Sequence, residues 1–199
     1  MKKLILVLVS CIFIVKISYA NTYSSDPKMF VSELVNDAIS KLSDKNLSVE
    51  EKESFIKNIA IDNVDINALG LYTLGELRKT TDEDSLKNYQ ESFQKYFLKS
   101  LTSRLSDYSS SEFEILGDDK KSPNYTIVNS KITPNDGGAE IKIDWRIYTK
   151  NPDKPLIRDL IVEGLSLART QKEEFASILS SNNNDIQILI EKLNEFVKK

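Results

Sequence analysis

Apolar residues fall at helical spacing through the first half of the chain and at alternate positions through much of the second. Val31, Leu34, Val35, Ala38, Ile39 and Leu42 form one stripe, and Asp26-Pro27 ahead of it places proline in the first turn of a helix. Ser48-Val-Glu-Glu51 has the form of a capping box, in which serine and glutamate each satisfy the other's backbone N–H, and it opens a second helix carrying Phe55, Ile56 and Ile59. From Asp65 to Arg78 the apolar positions lie on nearly every side, which predicts a buried helix. Gly70 and Gly75 each weaken such a helix by about 1 kcal/mol relative to alanine, so close backbone packing is expected there. Thr81-Asp-Glu-Asp84, an acidic first turn, then begins a long helix with Leu86, Tyr89, Phe93, Phe97, Leu101 and Leu105.

The period changes after that helix. Phe113–Leu116 and Tyr125–Ile132 read as short strands, and Asn135-Asp-Gly-Gly138 as the turn that follows the second. Ile141, Ile143, Trp145 and Ile147 alternate with Lys142, Asp144 and Arg146, the clearest half-buried strand in the sequence. A turn at Asn151-Pro-Asp153 leads to a last strand over Leu156–Glu163, which breaks at Gly164. A helix from about Thr170 to Ser180, with Thr170 and Glu173 as a second capping box, and another carrying Ile186, Leu189, Ile190, Leu193 and Val197 close the chain. Helices, then an antiparallel meander of about four strands, then helices make an α+β fold.

The extreme N-terminus reads as an address. Lys2 and Lys3 precede an apolar run over Leu4–Val15, too short for a membrane span of about 20 residues, and Ser18-Tyr-Ala20 offers small residues for cleavage. Residues 1–20 are therefore expected to be a secretory signal cut after Ala20, with residues 21–199 forming one domain outside the inner membrane. An uncleaved anchor is the alternative. Cys11, which loosely matches a lipoprotein-processing site, is followed by more apolar residues and reads as part of the signal.

Cleavage would remove the one cysteine, and the chain has no histidine. Disulfides, thiolate chemistry, histidine-based triads and ordinary zinc sites are then excluded from the secreted part, and no metal or cofactor is expected. The formal charge of −3 would fall to −6 with the loss of Lys2, Lys3 and Lys16. An acidic chain without basic clusters argues against nucleic acid and against adhesion to anionic membranes. Arg158, Asp159 and Glu163 read as a surface salt bridge or solvated face on the last strand, with a headgroup contact as the alternative, and Ser166 as a turn or cap residue.

Several segments in collinear order resemble the MlaC family, the toluene-tolerance-type periplasmic phospholipid carriers of the Mla ABC transport system. The segment Glu163-Gly-Leu-Ser166 leading to Glu174-Phe175 is one moderately specific piece of a likeness that covers most of the chain after residue 20. Asp65 to Gly75, Thr80 to Phe93, Ile141 to Tyr148 and Ile186 to Leu193 extend it. Gln171-Lys172 replaces a Tyr-Arg pair frequent in the family, and Asn182–Asp185 lacks glycines often found there.

The resemblance implies a soluble, non-enzymatic shuttle moving phospholipid between an inner-membrane ABC transporter complex and an outer-membrane lipoprotein–porin complex. It implies an apolar cavity between sheet and helices. Candidate lining residues are Leu69 and Leu74, then Phe93, Phe97 and Leu101 of the long helix. To these are added Ile143, Trp145 and Ile147 of the strand, and Leu165, Leu167, Phe175 and Leu179 around the break at Gly164. For each of them an ordinary core position is the competing assignment. Two other functions compete: a protein-binding adaptor or chaperone with an apolar groove, and an enzyme working through carboxylates or tyrosine.

Overall fold

Asp26 does what the sequence requires of it: its side chain accepts the Met29 N–H at 2.9 Å and so caps helix α1, Pro27–Ser43. The structure, a computed structural model, describes residues 23–105, 111–135 and 137–199. The expected signal segment over residues 1–20, with Cys11, lies outside the described residues, as do Asp136 of the turn cluster and the Leu105 side chain. The Ser48–Glu51 capping box is present in full and starts α2, Val49–Asn63.

The apolar stretch after Asp65 is two elements, not the single helix expected. Asp65 caps α3, Ile66–Thr73, through the Ala68 N–H, and a separate 3₁₀ turn spans Gly75–Lys79. Gly75 makes the break because its φ of +59° lies in the left-handed region that disfavours a side chain. Gly70 answers a different need. A Cβ on it would stand 2.9 Å from Phe93 Cδ1, so its hydrogen lets helix α4, Glu83–Leu105, lie against α3. Gly70→Ala gains helix propensity worth about 1 kcal/mol but must displace a ring boxed in by Tyr89, Phe97 and Phe175. A net loss of about 1–2 kcal/mol is expected in urea denaturation; a variant as stable as the parent would show that the ring moves aside freely.

The sheet has five antiparallel strands in sequence order, one more than expected: β1 Ser111–Ser122, β2 Tyr125–Pro134, β3 Ile141–Tyr148, β4 Leu156–Val162 and the two-residue β5 Leu165–Ser166. Strand β1 runs well past the predicted Leu116. Glu163 (φ 49°) and Gly164 (φ 81°) make the two-residue β4–β5 turn, both in the left-handed region that such tight hairpins demand. Ser166, not Thr170, caps the next helix, α5 Leu167–Ser180, by accepting the Arg169 N–H at 3.0 Å. Thr170 lies inside that helix and donates to the Ser166 carbonyl. Asp185 caps the last helix, α6 Ile186–Lys198, and the glycine-poor turn before it is made by Asn183 and Asn184 at φ 55° and 57°. Asparagine tolerates that conformation better than most residues with a side chain.

Two apolar clusters hold the fold. One lies between α1 and one face of the sheet, where Phe30, Val31 and Leu34 meet Val128, Trp145 and Ile147. The Trp145 indole N–H donates to Ser130 Oγ at 2.8 Å, and Ser130 donates to the Ile143 carbonyl, so the polar atoms within this layer are paired. The other cluster is wholly helical and joins α3, α4, α5 and α6 around Tyr89, Phe93, Phe175 and Leu189. Burial pushes the Tyr89 phenol pKa up despite its hydrogen bond with Thr73, and both hydroxyls lie within hydrogen-bond distance of the Gly70 carbonyl. Tyr89 is therefore a neutral hydrogen-bonding group in this core.

Candidate functional site: the cleft between sheet and helices

The sheet face turned away from α1 is not packed by the helical cluster. Between it and helices α3 and α5 runs a cleft of about 820 Å³. The helical wall is apolar: Ala68, Leu69 and Tyr72 from α3, and Ala168 from α5. The sheet contributes Ile127 and Ile161, but also Asn129, Asp144, Arg146 and Arg158, with Asp119 and Lys121 at the β1 side. The cleft is thus amphipathic, with a greasy roof and a mixed-charge floor.

This polarity follows from the two-residue period of a strand. Ile143, Trp145 and Ile147 belong to the face under α1, so β3 presents to the cleft the residues between them, Asp144 and Arg146. Of the twelve residues expected to line a cavity, Leu69 lines this one. Leu74, Phe93, Phe175 and Leu179 are buried in the helical cluster behind the roof, with Phe97 packed against it and Leu101 half-buried on α4. Leu165 and Leu167 are exposed at 69% and 41% beside the β4–β5 turn.

Strand β4 fastens the roof to the floor. A register shift opposite Arg146 and Ile147 leaves Arg158 without a partner on β3, a bulge that turns both Arg158 and Asp159 toward the cleft side. Arg158 donates through Nε and Nη2 to Asp65 Oδ2 at 2.8 and 2.7 Å, and through Nη1 to the Tyr125 hydroxyl at 2.8 Å. Its guanidinium stacks 3.4 Å from the Tyr148 ring centroid. Burial works against the Arg158 charge, but hydrogen bonds to Tyr125 and Asp65 outweigh it and hold the pKa above its ordinary value. Asp65 is the cap of α3, so this pair ties that helix to β4. The Asp65 N–H adds a bond to the Ile157 carbonyl at 2.9 Å.

Asp159 ties down α5 in the same way. Its side chain is 1% exposed, accepts Ser166 Oγ–H at 2.6 Å and the Ala168 N–H at 3.0 Å, and lies 3.5 Å from Arg146 Nη1. The expected pairing is present but is not a surface one: Arg158 and Asp159, with side chains 26% and 1% exposed, are drawn in as structural tethers. Glu163 does stay at the surface, where its carboxylate takes the Lys142 N–H at 2.6 Å. Gln171 and Lys172, where the sequence departs from the family's pattern, brace the roof. Gln171 accepts from Tyr96 of α4, and the Lys172 ammonium sits 5.1 Å from the Tyr72 ring centroid.

Among the described residues no cluster of three or more metal-ligating side chains occurs, and no helix is long and apolar enough to cross a membrane. An open antiparallel sheet, one face sealed by a helix and the other roofed by two helices across an amphipathic cleft, defines an α+β fold with a ligand-sized hollow. The chain belongs to the MlaC family, whose description, MlaC protein, matches residues 32–195. A solved structure with the same fold is the phospholipid-binding protein from Ralstonia solanacearum in complex with a phospholipid. It aligns with a TM-score of 0.69 at 17% identity, over 84% of this chain and 94% of that one. No curated protein sequence matches the chain.

Proposed function

We propose that this protein binds a phospholipid and carries it through the periplasm between the inner and outer membranes, handing it between an ABC transporter complex and a lipoprotein–porin complex. Membership of the MlaC family is the observation that carries this reading. The cleft supports it, because its volume of about 820 Å³ falls within the roughly 300–1,000 Å³ of small-molecule sites. The phospholipid held by a protein of the same fold supports it as well.

The energetics set what such a carrier must supply. Two acyl tails hold roughly 30 methylenes, and exposing them to water costs on the order of 20 kcal/mol at about 0.8 kcal/mol each. Leu69, Tyr72 and the facing isoleucines shelter the segment nearest the headgroup. The residues around the cleft suit binding: Arg158 is paired with Asp65, Asp144 holds the Asn129 amide, and the chain brings no histidine for proton transfer.

Native mass spectrometry of the protein purified from a periplasmic fraction is expected to show mass increments of one or more phospholipids. Protein that arrives lipid-free and takes up no phospholipid from vesicles would overturn the proposal. A protein partner captured without lipid would favour an adaptor role in its place.

A further inference from the structure

Three cations line the cleft of this net-acidic chain, and they are not equally committed. Arg158 spends Nε and Nη2 on Asp65 and Nη1 on Tyr125, with its flat face covered by Tyr148. Lys121 pairs with Asp119 two residues away on its own strand. Arg146 is different. Its contact with Asp159 is 3.5 Å long, and the carboxylate oxygen concerned already holds the Ser166 hydroxyl at 2.6 Å. A guanidinium has five N–H donors in a fixed planar fork, and nearly half of the Arg146 side chain remains open to solvent at the cleft floor.

Its surroundings join apolar to polar groups. Arg146 lies on β3, the middle strand of the sheet, beneath an apolar roof of Leu69 and Ala168. Asp144 follows on the same face at the two-residue spacing of about 7 Å and is occupied by the Asn129 amide at 2.8 Å. The acidic groups near Arg146 or across the cleft each hold another donor: Asp144 the Asn129 amide, Asp159 Ser166 and Ala168 besides its longer contact to Arg146, and Asp119 Lys121. Phosphate oxygens are the acceptors that a guanidinium fork matches in pairs, and such charge-assisted bonds are roughly twice as strong as neutral ones.

We infer that Arg146 is the phosphate-recognising residue of the cleft, holding the phosphodiester of a bound lipid while its tails lie under the helical roof. This rests on the phospholipid reading above and deepens it, since it predicts discrimination for the phosphate and not only for the tails. The same chemistry would take free phosphate, so the test separates the two sources.

The full chain is incubated with vesicles carrying equal amounts of phosphatidylglycerol and a diacylglycerol of identical tails, and the lipids it extracts are weighed by mass spectrometry. The parent is expected to favour the phospholipid, and Arg146→Gln to lower the phospholipid-to-diacylglycerol ratio by about tenfold, with Arg146→Lys in between. Because the readout is a ratio within one sample, a general loss of folded protein does not mimic it. An unchanged ratio in Arg146→Gln would overturn the inference while leaving phospholipid binding intact. A parent that extracts neither lipid would overturn both. A lipid-free parent that binds inorganic phosphate tightly, and loses it on Arg146→Gln, would assign the residue to free phosphate and overturn the lipid assignment.

Discussion

Phe93→Ala is expected to destabilise the protein by about 3–5 kcal/mol, the usual cost of removing a buried aromatic ring. Phe93 is 3% exposed and contacts four other rings: Tyr89 and Tyr96, Phe97 in a near-stacked arrangement, and Phe175 edge-on. It also fills the notch left by Gly70, so its removal opens a void between α3 and α4. Against a typical total of about 5–15 kcal/mol, that is a fifth or more of the fold's stability. Urea denaturation followed by Trp145 fluorescence measures it. A loss below about 1 kcal/mol would mean that the helical cluster behind the roof is loosely packed. Addition of phospholipid is expected to restore part of the loss, since a ligand bound only by the folded state stabilises it.

Asp65→Ala is expected to cost about 2–4 kcal/mol by a different route. It removes the α3 cap, worth about 1 kcal/mol, and leaves Arg158 with one hydroxyl partner in a pocket where most of its surface is covered. Asp65→Asn keeps an oxygen for the Ala68 N–H and loses the charge, so its loss is expected to fall near half of that. Pairing each with Arg158→Ala in a double-mutant cycle is expected to show coupling of about 1–3 kcal/mol. Additive losses would show that the two residues do not support one another and that the roof is held elsewhere.

Those two positions also mark where sequence reasoning reached and where it stopped. Phe93 is legible because a long amphipathic helix announces its buried face within four residues. The caps at Asp26 and Ser48 are legible for the same reason: donor and acceptor are three residues apart. Ser166 against Thr170 was undecidable on that basis, since each offers a hydroxyl ahead of a helical run. Asp159 settles the choice by bonding both Ser166 and Ala168, and it comes from another element. The Asp65–Arg158 pair spans 93 residues, which no local pattern registers.

The cavity lining shows the limit most clearly. Alternation on β3 separates Ile143, Trp145 and Ile147 from Asp144 and Arg146, but it does not say which set looks into the hollow. An apolar face is the natural choice for a lipid site, yet that face was needed by α1 for the core. What remained for the cleft was the polar set, and with it came the residue with the most unspent donors.

One extra residue in β4 has a mechanical consequence. The bulge at Arg158 aims two successive side chains at two different helices, and the principal contacts of α3 and α5 with the sheet fall on β4 and β5. The main ties between roof and floor thus lie along one edge of the cleft, as the covers of a book are held at its spine.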